Sequence, residues 1–100
     1  MSVQSAFNPA YGTGITVSPG VASASSTYGR GSKALVITNL TAGVLTYVRV
    51  GTGSTTATTA DYPVLGGTQI TLAKAQDQDT VAYIAPAGGG SIHILAGEGY

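Results

Sequence analysis

The residues able to do chemistry are few, and their spacing argues against each reaction in turn. The one histidine, His93, lies inside an alternating apolar stretch. Nucleophilic catalysis needs a base beside the nucleophile and a third group orienting that base. No Gly-x-Ser-x-Gly elbow occurs, so His93 reads as a structural or surface histidine. Asp77-Gln78-Asp79 offers paired carboxylates, but the central glycine and terminal glutamate of a calcium loop are missing, so the pair reads as a solvated turn. As a glycosidase pair it lacks pocket-forming aromatic context. Gly29-Arg30-Gly31-Ser32-Lys33 and Gly51-Thr52-Gly53-Ser54 are glycine-rich, yet the first places serine before lysine and neither opens a helix that could hold phosphate. Asn39-Leu40-Thr41 fits a glycosylation sequon but reads as a turn. The expectation is no catalytic, metal or cofactor-binding residue, and no enzyme.

Aromatic residues point to contact instead. Phe7, Tyr11, Tyr28, Tyr62 and Tyr100 fall in an N-terminal arm, in loops or at the C-terminus, whereas Tyr47 and Tyr83 fall inside strand patterns. Tyrosine offers a large contact area and a hydroxyl handle at low entropic cost. Each exposed-type aromatic is therefore either an interface residue or a cap on the core. Around Asp61-Tyr62-Pro63, the residue before proline is biased to extended backbone. Asp61 either caps its loop or pairs with Arg49. The interface candidates are Phe7, Tyr11, Tyr28, Asp61, Tyr62, Pro63 and Tyr100.

The elements that must position these residues are strands. Val, Ile, Thr and Tyr dominate between frequent Gly and Pro, and no window shows helical periodicity. Six segments alternate as strands: 14–18, 34–40, 44–50, 69–73, 79–85 and 91–96. Ala34 to Leu40 is apolar on both faces, as suits a central strand. Residues 39–43 and 86–90 join strands at hairpin spacing. Segments 19–33 and 51–63 read as long loops, which in a compact domain are functional or docked. The predicted fold class is all-β: a single antiparallel β-sandwich or small barrel of about six to eight short strands. An extended arm over residues 1–12 precedes a sandwich domain over 13–100.

Composition sharpens this picture. One hundred residues make one domain, and the absence of cysteine excludes a disulfide framework and thiolate zinc sites. Only 8% of residues are charged and the net charge is zero, against about 25% charged in an ordinary soluble domain. Zero net charge favours association, and a hydroxyl-rich surface is cheap to desolvate. This suits an assembly surface, the alternative being a stable monomer with a hydroxyl coat. Four scattered basic residues, matched by four acids, leave no footprint for nucleic acid. No apolar run approaches the roughly 18 residues that span a bilayer. Met1 to Ser5 lacks a signal-peptide pattern, so the expectation is use without Sec export.

From Leu35 to Glu98 the chain carries a further pattern. Val36-Ile37-Thr38-Asn39, then Tyr47-Val48-Arg49-Val50-Gly51-Thr52, then Ala57-Thr58-Thr59-Ala60-Asp61-Tyr62-Pro63-Val64-Leu65-Gly66-Gly67-Thr68, closes with Gly97-Glu98-Gly99. This resembles small β-sandwich structural proteins of tailed bacteriophages, of the capsid decoration or cement type. The resemblance implies a virion location on the capsid exterior, with the major capsid protein and other copies of this chain, as dimer or trimer, for partners. It implies a bridging role between capsid subunits. A head–tail or tail component is the alternative within the virion, and a host-recognition or carbohydrate-binding domain the alternative of another class.

Overall fold

The structure, a computed structural model, describes residues 8–98. Among them nine strands follow one another: β1 (Asn8–Pro9), β2 (Ile15–Val17), β3 (Ala24–Thr27), β4 (Ala34–Asn39), β5 (Thr46–Gly51), β6 (Tyr62–Val64), β7 (Gln69–Ala73), β8 (Thr80–Ile84) and β9 (Ile92–Glu98). One sheet runs β2-β9-β4-β7, with β1 also paired to β9, and the other runs β3-β8-β5-β6. Every pairing is antiparallel. The chain passes between sheets at β2–β3, β3–β4, β4–β5, β6–β7, β7–β8 and β8–β9, and the resulting strand order is that of a jelly roll, a double-sheet sandwich.

The alternation in the sequence explains which faces meet. Leu35 and Ile37 of β4 and Ile92 and Ile94 of β9 turn inward from one sheet, against Val48, Val64, Val81 and Tyr83 of the other. Full burial of such a side chain contributes about 1.5–3 kcal/mol, as an upper estimate. Val36 and Thr38 point to the opposite face of β4 and are only half-buried. Tyr83 keeps its ring in the core by pairing its hydroxyl with Ser26 Oγ at 2.7 Å.

All six strand segments read from the sequence are present, and the structure adds three. β1 lies in the proposed arm and pairs with β9 of the same chain, Asn8 opposite Glu98 and Pro9 opposite Gly97. β3 lies inside segment 19–33, and β6 contains Tyr62 and Pro63, which the sequence placed in a loop. The extended bias before Pro63 is what lets Tyr62 pair opposite Val48. Both expected hairpins are inter-sheet crossovers. Residues 39–43 lead from β4 in one sheet to β5 in the other, and 86–90 lead from β8 to β9 likewise. Short turn-rich links serve both purposes, and only the register of the remaining strands decides between them.

Two polar side chains lock the connections. Asn39 is buried, and its amide donates to the carbonyls of Val44 (2.7 Å) and Val64 (3.1 Å) while accepting from Thr41 N–H (3.2 Å). Its place in the sequon is thus explained by structure: the amide is consumed internally. Lys74 Nζ donates to the carbonyls of Ser32 (2.7 Å), Gln78 (2.9 Å) and Ala75 (3.1 Å), tying two loops together. Burial lowers the Lys74 pKa from its ordinary value, against the opposing pull of Asp77, Glu98 and Asp79.

Candidate interaction surface

Four of the six crossovers, 18–23, 40–45, 65–68 and 85–91, meet at one end of the sandwich. Leu40 N–H donates to Ser91 O (2.9 Å), and Ser91 N–H to Thr41 Oγ1 (3.1 Å). Ala85 N–H donates to Gly20 O (2.9 Å), and Gly67 N–H to Asn39 O (3.0 Å). These bonds stitch the loops into one plate. Glycine makes the close approach possible: a Cβ on Gly66 would stand 2.5 Å from Gly43 N and 2.7 Å from Thr41 O. Gly88, Gly89 and Gly90 all take positive φ, so that crossover has a backbone open only to glycine at low cost.

No residue of the plate is charged, and it exposes Val21 (68%), Leu40 (54%) and Leu65 (62%). The opposite end collects Arg30, Lys33, Lys74, Asp77, Asp79 and Glu98, six of the eight charged side chains. There an open hollow of about 510 Å³ is lined by Pro9, Thr13, Tyr28, Arg30, Ser32 and Glu98.

The remaining two charges pin a loop. Arg49 Nη2 and Nε each lie 2.7 Å from Asp61 Oδ1, while Asp61 Oδ2 accepts from Thr58 N–H at 2.7 Å. Asp61 thus does both of the things its position suggested, capping its turn and pairing with Arg49. Partial burial raises its pKa, but the Arg49 and Thr58 hydrogen bonds and the Arg49 charge outweigh that and hold the carboxyl below its usual range. The loop so anchored crosses the outer face of β8: Ala57 is buried and donates its N–H to Ser23 Oγ beside β3 (2.8 Å). Ala82, at the centre of the outer face of β3-β8-β5-β6, is fully buried, whereas Ser25, Arg49 and Pro63 on the same face are exposed.

The other sequence candidates do not form one site. Tyr11 is 83% exposed at the charged end. Tyr28 caps the core, packing against it while its hydroxyl accepts from Ala96 N–H at 2.9 Å. Tyr62 and Pro63 are exposed along β6, at a sheet edge. Phe7 and Tyr100 lie outside the described residues. Val21, Leu40 and Leu65 escaped the sequence reading, which weighed aromatics and not isolated aliphatics in turns; their shared signal is an apolar residue beside glycine and small residues. His93 sits on the outer face of its sheet between Thr16 and Thr38, over Gly14, whose added Cβ would meet its Nε2 at 2.6 Å. Among the described residues no group of three or more His, Asp or Glu side chains is placed to hold a metal ion, and no helix is long and apolar enough to cross a membrane.

No family model matches the chain, and no curated protein matches it significantly. Among solved structures, it is similar to the cupin domain of an XRE family transcriptional regulator from Enterobacter cloacae, at 12% identity and TM-score 0.50, covering 91% of this chain and 93% of that one. It is also similar to a chain of Bacillus endospore appendages, described as disulfide-linked pili, at 14% identity and TM-score 0.51, covering 98% and 96%. At these identities the likeness is one of fold: a two-sheet β-sandwich running nearly the length of each chain.

Proposed function

We propose that this chain is a non-enzymatic structural subunit of a bacteriophage virion, a decoration protein that seats its charge-free plate on the major capsid protein and bridges neighbouring capsid subunits. The observation that carries the reading is the polarity of the molecule. Four crossovers at one end expose Val21, Leu40 and Leu65 with no charge among them, while six charges gather at the other end. An apolar plate with hydroxyls and free loop backbone loses little on desolvation, whereas an unpaired charge at its centre would cost several kcal/mol. The resemblance of residues 35–98 to phage decoration proteins supplies the partner. The spore-appendage neighbour is one case of such a sandwich in disulfide-linked pili; this chain has no cysteine, so its contacts are not disulfide-linked.

Leu65→Asp tests the reading, since Leu65 is exposed and its loss leaves the core intact. The expected result is binding to undecorated capsids weakened by about tenfold or more, with thermal unfolding unchanged. Undiminished binding by this variant would count against the plate as the seat. Copy number separates the neighbouring possibility: a dozen or fewer chains per virion would assign the protein to the head–tail or tail structure.

A further inference from the structure

A sandwich has open edges, and this one protects them unequally. β6 is three residues long and carries Pro63, which has no N–H to offer an incoming strand. The β1/β2 edge is split by the turn at 10–13, where Thr13 N–H and Oγ1 both bond Ala10 O. The loop over β8 reaches the β3 edge through Ala57 and Ser23. β7 has none of these devices. Gln69-Ile70-Thr71-Leu72-Ala73 is five unbroken residues with no charge, proline or glycine, paired among the described residues on one side only, to β4.

Its free side is set by ladder alternation. Asn39 N–H donates to Thr68 O and Lys74 N–H to Lys33 O, both at 2.9 Å, at the two ends of the β4–β7 pairing. Antiparallel bonding alternates, so Ile70 and Leu72 bond β4, and Gln69, Thr71 and Ala73 turn their N–H and C=O groups outward.

We infer that the free edge of β7 is the contact between two copies of this chain, paired antiparallel about a two-fold axis at Thr71. In that register Thr71 faces its own symmetry mate and Gln69 faces Ala73, which matches outward groups to outward groups and forms about six backbone hydrogen bonds. The neutrality of this edge favours a second copy over a charged partner. β7 brings no charge to the seam, the chain is net neutral, and the adjacent Lys74 ammonium is already held by three carbonyls. The contact extends beyond the strand. β6 stands at the same side, joined to β7 by the short crossover 65–68, and Tyr62 is 49% exposed there at an inward register position opposite Val48. Ile70 and Leu72 are only half-buried, so a mate would complete the cover of this side.

The inference is independent of the capsid reading and is tested on the purified chain. Because the protein has no cysteine, Thr71→Cys introduces a single thiol. Directly opposed residues in a hydrogen-bonded antiparallel pair stand about 5.5 Å apart at Cα, within disulfide reach. The expected result is rapid oxidation of Thr71→Cys to a covalent dimer, little for Gln69→Cys alone, and restored cross-linking for Gln69→Cys/Ala73→Cys. Thr71→Lys sets like charges face to face and is expected to weaken self-association by roughly tenfold or more in sedimentation equilibrium, with unchanged thermal unfolding. Three results overturn the inference: equal cross-linking of Thr71→Cys and Gln69→Cys, a wild-type chain that stays monomeric to about millimolar concentration, or β7 amides that gain exchange protection only when capsid protein is added. Leu65→Asp should lose capsid binding yet leave this cross-linking intact, which separates the two proposals.

Discussion

Asp61 shows how one carboxylate holds a loop from both sides. Oδ1 takes the Arg49 guanidinium and Oδ2 takes the Thr58 N–H, so the charged form is favoured in the folded chain and the pKa lies below its ordinary value. The unfolded chain then binds the proton first as pH falls. The stabilisation is complete above the ordinary carboxylate range and is lost as pH drops through the lowered folded value. We expect wild-type unfolding midpoints to fall more steeply than those of Asp61→Asn between pH 5 and the acid limit. The difference is small, because Arg49 is half exposed. Equal slopes in a pH series of chemical denaturation would remove Asp61 from this role. At this scale the sequence was half legible. The extended segment before Pro63 suggested that Asp61 either caps its loop or pairs with Arg49, and the structure shows both, with Thr58 as the capped residue. Nothing in the residue types announced that Asn39 would be buried as a three-bond clamp or that Lys74 would bond three carbonyls, because burial of a polar side chain depends on loops that meet only after folding.

Strands with apolar alternation were legible, and strands without it were not. β4 and β9 declare themselves by runs such as Leu35-Val36-Ile37 and Ile92-His93-Ile94-Leu95, whereas Ala24-Ser25-Ser26-Thr27 of β3 carries no apolar face to detect. Pairing was legible less often than existence. The link at 39–43 has hairpin length but crosses the sandwich, since β4 finds better apolar partners in β9 and β7, Ile37 opposite both Ile94 and Ile70. The crossovers then pack backbone to backbone, and Gly66 is where they touch. Gly66→Ala forces Thr41–Val44 away and is expected to cost about 1–3 kcal/mol, the usual range for overpacking. For a domain of this size that corresponds to a fall of roughly 5–20 °C in Tm. Under the proposed capsid role, the variant should also weaken capsid binding at temperatures where it remains folded, because Leu40 and Leu65 flank the disturbed contact. A melting temperature within a degree of wild type would show that the loops yield freely, and the plate would then be a poor rigid surface.

Charges scattered along the chain become a pattern only in the folded molecule. Arg30, Lys33, Lys74, Asp77, Asp79 and Glu98 span most of the sequence in short, balanced groups, and read linearly they suggested nothing but neutrality. The β3–β4 and β7–β8 crossovers and the end of β9 bring them to one end, while the other four crossovers leave the opposite end with Val21, Leu40 and Leu65 exposed and no charge. This arrangement dictates how association responds to salt. A contact made through the plate has no ion pair to screen, so its affinity for undecorated capsids should change by less than about threefold between roughly 50 and 500 mM salt, a range over which the Debye length shortens from about 14 to 4 Å. Seating through the charged end would make ion pairs at Arg30, Lys33 or Glu98 part of the contact, and salt would then weaken binding steeply while lowering the association rate. A binding isotherm repeated across salt therefore reports which end makes the proposed capsid contact. A steep loss of affinity would turn the molecule over, placing the hollow beside Tyr28 and the exposed Tyr11 against the shell and the apolar plate toward solvent.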